Sequence, residues 1–246
     1  ILINMTLIKK HRKNLIKKFE FTYKKEVIYI KVKKNKLSKS YKLSLDKKDL
    51  NGLVSIPYYI KYEDGAKFAR DNLEWISGEI EKLKPIIKIN NGAKIRFFDD
   101  ILKIKYITSS TNKIRLAHNV LEISSKKKHS DILLKWIKNE VRKSSSMAIN
   151  EFSRKLNVKV SKIKISNSFS YWGSCNSKNE ISINWRLIFC PQFVLNYIIA
   201  HELSHLIEFN HSKNFWNLVD KLITNRLDAQ KWLKQNDNYM YRLRLD

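Results

Sequence analysis

The chain has 246 residues, of which 43% are hydrophobic and 29% are charged. This length and composition suffice to bury a core, and they exclude a wholly disordered chain. No stretch approaches the roughly 18 consecutive apolar residues of a membrane-spanning helix, and the apolar start, residues 1–8, precedes the basic run instead of following it as in a signal peptide. The two cysteines, Cys175 and Cys190, form neither a disulfide framework nor a Cys-x-x-Cys pair. We therefore expect a soluble, cytoplasmic protein without a membrane partner.

Basic side chains outnumber acidic ones, with 49 Lys and Arg against 23 Asp and Glu, which gives a net charge of +26. Such a surplus is typical of proteins that bind nucleic acid or another polyanion. Only 10 of the 49 are Arg, however, the residue better suited to bidentate phosphate and base contacts. Residues 1–48 hold 16 basic and 3 acidic side chains, whereas residues 167–216 hold 3 of each. The charge therefore leaves two interpretations open, a basic N-terminal module that binds nucleic acid and a merely compositional excess of Lys.

The N-terminal part of the sequence predicts strands followed by one helix. Alternating and β-branched runs, which are typical of short strands, cover residues 19–23, 27–32 and 53–57. Apolar residues then recur at helical spacing from Ala66 to Leu83, with Asp64 as a candidate N-cap and Pro85 after the last turn. We therefore expect a β-rich opening and a single helix.

A second set of strands and a long helix are predicted next. The strands cover residues 95–98, 101–107 and 114–116, and their spacing suits one meander. The amphipathic stretch from Asp131 to Leu156 follows, and it predicts a helix that packs across a sheet.

The C-terminal part predicts a small sheet and two helices. Residues 158–168 and 180–184 alternate in polarity and fit a hairpin. Pro191 suits the first turn of a helix that runs through His205, and Ser212 suits the N-cap of the next helix.

These elements together predict an α+β fold in two parts. Residues 1–125 are expected to form a basic, β-rich N-terminal region with one helix. Residues 126–246 are expected to form the second domain, which contains three of the six histidines within eleven residues.

The three clustered histidines are His201, His205 and His211. Positions i and i+4 of a helix lie on one face, so His201 and His205 can present two imidazoles to one tetrahedral ion. This spacing is the His-Glu-x-x-His arrangement of metallohydrolases. In that arrangement Glu202 is the candidate general base toward a water that zinc has acidified.

A third ligand requires the helix to end before His211. On an uninterrupted helix, His211 would lie about 240° around the axis from His205. Asn210 tolerates a left-handed conformation and Ser212 can begin the next helix, so a reversal there can return His211 to the ion. Glu208 is the rival ligand, but it lies nearly two turns from His201, which favours a structural role for it.

Further motifs surround the histidine cluster between Ser170 and Val219. They are Trp172-Gly173-Ser174-Cys175, Asn184-Trp185-Arg186-Leu187, Pro191, His201 to His205, Asn210-His211-Ser212 and Phe215-Trp216. Together they resemble the YgjP-like metallopeptidase family, small bacterial zincins related more distantly to the SprT-like and Wss-type proteases. The resemblance implies a minimal zincin-like domain with a small sheet and an active-site helix. It also implies that His201, His205 and His211 hold Zn²⁺ and that Glu202 is the catalytic base.

Single positions refine this resemblance. Family members usually carry Arg where this chain has Tyr171, so a role of that Arg in binding an anion does not transfer. Phe215 and Trp216 are expected to be buried aromatic residues that anchor their helix to the core. Arg186 and Tyr197 are candidate transition-state donors, with pairing to a carboxylate as the alternative role of Arg186.

The sequence thus predicts a zinc-dependent metallohydrolase, with a metallopeptidase that acts on peptide or protein substrates as the leading hypothesis. YgjP-like proteins are also linked to UTP pyrophosphohydrolysis, so a nucleotide is a second candidate substrate. The chain has no Gly-rich phosphate loop, so cationic side chains and the ion would have to bind the phosphates. The nucleic-acid-associated module is the third hypothesis.

Overall fold

The computed structural model describes residues 16–126 and 128–245 and has an α+β fold, as the sequence predicts. The apolar start of the chain, residues 1–8, and part of the basic run lie outside the described residues. The chain forms two compact units, which divide between Pro85 and Ile86. No helix among the described residues combines the length and the apolar character that crossing a bilayer requires.

The first unit is a four-stranded sheet with two helices. Its elements are β1 Ile16–Tyr23, β2 Glu26–Asn35, β3 Lys42–Asp46, β4 Asn51–Pro57, α1 Tyr62–Asp71 and α2 Leu73–Glu81. The strand order is β1-β2-β4-β3, with β2 parallel to β4 and the other pairs antiparallel. Alternate residues of β2 and β4 are buried together with Ala69 and Ile76 of the helices. Burying one face of a strand against a helix explains the period-two pattern of these segments.

The sequence predicts one helix between Ala66 and Leu83, and the structure corrects this to two. The break falls at Asn72, whose φ of −118° and ψ of 20° leave the helical range. The side-chain amide of Asn72 donates to the carbonyl oxygen of Phe68 at 2.8 Å, a local bond that competes with the helical ladder. Asp64 lies within the first turn, and the N-cap residue Lys61 makes no side-chain capping bond.

The second unit contains three sheets and four α-helices within the described residues. Its elements are β5 Ile87–Lys88, β6 Lys94–Phe97, β7 Asp100–Thr108, β8 Lys113–Ala117, β9 Val120–Ser125, α3 His129–Leu156, β10 Lys162–Ser166, β11 Gly173–Cys175, β12 Glu180–Asn184, a 3₁₀ helix Trp185–Phe189, α4 Gln192–Ser204, α5 Lys213–Leu222, α6 Arg226–Arg242 and β13 Leu243–Arg244. The sheets have the orders β6-β7-β9-β8, β10-β12-β11 and β13-β5.

Two pairings differ from the predicted connections because they are parallel. β7 pairs with β9 in parallel, so the four strands do not form the predicted meander. β10 pairs with β12 in parallel, and β11 is the antiparallel partner of β12, so the predicted hairpin of residues 158–168 and 180–184 is wrong. Polarity patterns identify strands but not their partners, which is why these connections could not be obtained from periodicity.

The division between the units lies before the four-stranded sheet of β6 to β9, whereas the sequence places it near residue 125. The buried face of this sheet, with Ile104 and Leu121, belongs to the same core as Leu133 and Ile137 of α3. The sheet is therefore part of the second unit. The alternating strands indicate only that a buried face exists, and they do not indicate which helix covers it.

Helix α4 is the central element of the second unit. Most of its residues between Val194 and Ala200 are buried, and the helix contacts α3, α5, α6 and strand β11. Such a helix, apolar on nearly all sides, is expected to lie in a core. Pro191 precedes it at the N-cap position, one residue before the first turn in which the sequence places this proline.

Candidate metal centre

The C-terminal end of α4 carries two of the predicted ligands and the predicted base. His201 and Glu202 lie in the last turn, and His205 is the C-cap residue. His205 keeps helical dihedral angles, φ −66° and ψ −14°, and its amide donates to the carbonyl oxygen of His201 at 3.4 Å. The i, i+4 relation of the two histidines is therefore retained at the end of the helix.

The chain reverses after His205 and brings His211 back. The side-chain oxygen of Asn210 accepts a bond from the amide of Ser212 at 3.2 Å, and the hydroxyl of Ser212 accepts from the amide of Phe215 at 3.3 Å. Ser212 is thus the N-cap of α5, as predicted. Asn210 does not adopt the left-handed conformation expected from the sequence; it stabilises the turn through its side chain instead.

The three imidazoles converge. One ring nitrogen from each of His201, His205 and His211 lies within 4.8 Å of the other two. The ring centroids are 4.9 Å apart for all three pairs, and Nε2 of His201 lies 3.1 Å from Nε2 of His211. Three ring nitrogens in such proximity form a triangle that a single cation can occupy.

These donors fit zinc. Tetrahedral coordination at about 2.0 to 2.1 Å would place ligand nitrogens about 3.3 Å apart, close to the separation of the His201 and His211 nitrogens. Nδ1 of His205 lies 3.0 Å from the carbonyl oxygen of Glu208, a bond that assigns the proton to Nδ1 and leaves Nε2 free as a ligand. Imidazole nitrogens also suit other transition metals, so zinc is inferred from the three imidazoles together with the adjacent Glu202.

Electrostatics keep the rings suited to binding a cation. Burial, together with the nearby charges of His205 and His211, lowers the pKa of His201 to about 4. Burial likewise lowers the pKa of His205. Neutral imidazole is the form that binds a metal, and the lowered pKa values keep His201 and His205 in this form at neutral pH.

Phe215 and Trp216 of α5 support the triangle. The ring centroid of Phe215 lies 4.9, 4.6 and 4.7 Å from those of His201, His205 and His211, and Phe215 is fully buried. Trp216 stacks on His211 with centroids 5.7 Å apart. The core-anchor role predicted for both residues therefore extends to direct contact with the histidines.

Glu202 lies in a buried environment on α4. The residue is 7% exposed, and burial raises the pKa of its carboxyl group to about 7. Gly173 of β11 lies directly against it, since a Cβ atom at that position would be 2.6 Å from Oε1 of Glu202. Sequence reasoning did not identify this contact, although its signal is the glycine within the Trp-Gly-Ser-Cys motif.

The two candidate donors have different surroundings. Tyr197 lies one turn before His201, with ring centroids 6.0 Å apart, and its hydroxyl accepts a bond from Gln230 at 3.1 Å. Arg186 is 3% exposed, and its guanidinium donates to the side chain of Asn167 at 2.9 Å. The contacts of Arg186 include none of the three histidines, so only Tyr197 lies beside the centre.

Comparison with known proteins identifies the family. The family model for the YgjP-like metallopeptidase domain matches residues 39–236. The chain belongs to the YgjP-like metallopeptidase family. It is therefore a peptidase-like hydrolase, and the resemblance stated from the sequence motifs is confirmed. The family match extends from the first unit of the YgjP-like chain to α6.

Two solved structures resemble part of this YgjP-like chain. The metallopeptidase zymogen abylysin of Pyrococcus abyssi is 17% identical, with a TM-score of 0.35, and the match covers 38% of this chain and 95% of that one. The metallopeptidase zymogen jannalysin of Methanocaldococcus jannaschii is 26% identical, with a TM-score of 0.34, and the match covers 37% and 95%. No curated protein matches the chain.

Proposed function

We propose that this member of the YgjP-like family is a zinc-dependent peptidase in which His201, His205 and His211 hold the ion and Glu202 is the general base. The observation that carries the proposal is the convergence of three ring nitrogens within 4.8 Å at the end of the helix that bears Glu202. A bound zinc ion would supply Lewis-acid chemistry, which acidifies water and polarises a carbonyl group.

The environment of Glu202 suits proton transfer. In the metal-free chain, burial raises the pKa of its carboxyl group to about 7, in the range that suits a group that accepts and returns a proton near neutral pH. In peptide hydrolysis, Glu202 would accept a proton from the attacking water and deliver it to the leaving amine. Tyr197, beside His201, is the candidate donor to the developing oxyanion.

Strand β11 supports a peptide as the substrate. It is the edge strand of the β10-β12-β11 sheet, and its outer edge pairs with no other strand in the described parts of the chain. Unpaired backbone groups of an edge strand bind extended peptides by strand addition. Because Gly173 of this strand touches Glu202, a peptide added to β11 would pass close to the base.

The test combines metal analysis with two substrate assays on the purified chain. We expect one zinc per chain and cleavage of an unfolded protein such as casein, lost on Glu202→Gln with zinc retained. Activity that persists in Glu202→Gln with zinc bound would reject Glu202 as the base. Pyrophosphate release from UTP without cleavage of casein would instead favour the nucleotide alternative.

The nucleic-acid alternative has its own test. Phosphate contacts make binding depend steeply on salt. DNA binding that falls with salt and requires residues 1–48 would support a nucleic-acid-binding N-terminal module. Negligible binding at physiological salt would identify the excess of Lys as compositional.

A further inference from the structure

Gly173 lies against the side chain of Glu202 at the start of β11. A Cβ atom placed on Gly173 would lie 2.6 Å from Cγ, 2.6 Å from Oε1 and 2.9 Å from Cδ of Glu202. Real Cβ atoms essentially never approach other atoms this closely. A larger residue at position 173 would therefore have to displace either the strand or the carboxyl group.

Position 173 requires glycine because there is no room for a side chain, and not because the backbone adopts a conformation that favours glycine. All five glycines of the chain are described, and only Gly92 has a positive φ. The backbone of Gly173 is thus outside the left-handed region that favours glycine. Gly52 and Gly65 are packed against aliphatic side chains, whereas the missing side chain of Gly173 faces a carboxyl group.

Strand β11 is held in place from its other side. Gly173 lies opposite Ile183 and Cys175 opposite Ile181 in antiparallel register, and both isoleucines are fully buried. The amide of Asn184 also donates to the carbonyl oxygen of Trp172 at 2.8 Å, just before the strand. Withdrawing β11 would break these bonds, so an added methyl group would displace Glu202 instead.

Glu202 cannot avoid the added group by a small rotation. The close approach involves Cγ as well as Oε1, and turning the carboxyl group about its last bond moves Oε1 but leaves Cγ in place. The residue is buried on α4, so a change of rotamer would have to repack its surroundings. The whole side chain would shift.

We infer that Gly173 is a positioning residue whose missing side chain sets where the Glu202 carboxylate lies. The inference rests on the proposed function, since it concerns the proposed general base. A misplacement of about 1 Å can cost about 100-fold in rate without any change in the catalytic group itself. Gly173 is thereby assigned a part in the reaction although it supplies no reacting atom.

The kinetic test uses the zinc-loaded full chain and fluorescein-labelled casein. We expect Gly173→Ala to lower kcat at least tenfold, with KM and zinc stoichiometry changed less than twofold. A kcat of Gly173→Ala within twofold of the wild type, or a loss of kcat that is matched by a loss of bound zinc, would overturn the inference.

A second readout needs no activity. In urea unfolding of the metal-free protein, Gly173→Ala should raise the unfolding equilibrium constant at least tenfold more when Glu202 is present than in the Glu202→Ala background. Gly65→Ala is the matched control, because its Cβ would lie 2.6 Å from Cγ1 of Val32 in the first unit. It should destabilise the chain equally in both backgrounds. Equal effects of Gly173→Ala in the two backgrounds would overturn the inference.

The two readouts separate failure of this inference from failure of the proposed function. A wild-type chain that binds zinc but cleaves no casein would contradict the proposed peptidase, and the unfolding cycle would still decide the role of Gly173. If Gly173→Ala does not fold, recovery of folding by Glu202→Ala supports the inference. Failure of both variants to fold overturns it.

Discussion

Nδ1 of His205 lies 3.0 Å from the backbone carbonyl oxygen of Glu208. The main chain of Glu208 therefore orients the imidazole, and its carboxylate is not needed for this bond. Any residue except one that distorts the turn can supply the same carbonyl group. This relationship separates the two candidates for the third ligand, His211 and Glu208.

We expect Glu208→Ala to leave zinc stoichiometry unchanged and zinc affinity within about twofold of the wild type. His211→Ala should lower the affinity at least about 100-fold, since even the loss of a residue that only supports a ligand typically costs about 10- to 100-fold. Competition with a chromogenic chelator measures both values. Loss of zinc in Glu208→Ala and retention in His211→Ala would make Glu208 the ligand.

Phe215 is expected to hold the three imidazoles in register. Phe215→Leu keeps an apolar side chain but removes the ring that contacts all three histidines, so zinc affinity should fall about tenfold. The loss of packing should cost about 1 to 2 kcal/mol in the free energy of unfolding. Val219→Ala, at a fully buried residue one turn further along α5, is the control. It should lower stability without weakening zinc binding, and an equal effect of both variants on affinity would contradict the role of Phe215.

The histidine cluster shows how far sequence reasoning extends. Helix α4, its start next to Pro191 and the cap at Ser212 are local features, and the structure has them within one residue of where the spacing and capping signals placed them. The i, i+4 face of His201 and His205 follows from helical geometry alone. The contact between Gly173 and Glu202 joins residues that are distant in sequence, so it cannot be predicted from the periodicity of the sequence.

The sheets show which features of the fold could not be predicted from the sequence. Polarity alternation located strands such as β2 and β7, but the parallel pairing of β7 with β9 is set by which faces are buried together. Asn72 interrupts what the apolar spacing predicts as one helix, because its side chain competes for a backbone carbonyl group. Local signals therefore predicted elements, whereas pairing and breaks depended on contacts made in the folded chain.

The pKa of Glu202 predicts a pH dependence of stability in the metal-free protein. Burial raises this pKa from the ordinary 4.5 to about 7, so between these values the folded state holds a proton that the unfolded state has lost. The contribution of Glu202 to the free energy of unfolding should fall as pH rises through this window and level off above it. The lowered pKa of His201 contributes with the opposite sign at the lower end of the window, so the contribution of Glu202 is obtained from the difference between the wild type and a variant. Glu202→Gln should remove this part of the slope, as measured by urea unfolding at several pH values. Glu151→Gln, at a side chain that is 58% exposed, is the control for removing one carboxylate; an unchanged slope in Glu202→Gln would contradict the prediction.

Arg186 offers a prediction that concerns stability and not zinc. Its guanidinium lies 4.0 Å from the ring centroid of Phe169 and 4.4 Å from that of Trp185, and burial, together with the charge of Arg244, lowers its pKa to about 10. Among the residues that the structure describes, Arg186 forms no salt bridge with a carboxylate, so the carboxylate pairing weighed from the sequence is not found.

Arg186→Lys should cost about 2 kcal/mol or more, because an ammonium group does not stack as a planar guanidinium does and is more strongly hydrated. Arg186→Met should cost less than Arg186→Lys, since an apolar side chain of similar length removes the buried charge and still packs between the two rings. Urea unfolding of the zinc-loaded chain compares the two variants, and zinc affinity should stay within about twofold in both. If Arg186→Lys lowers the free energy of unfolding less than Arg186→Met does, the positive charge contributes more to stability than the stacking of the planar group. That result would contradict the prediction.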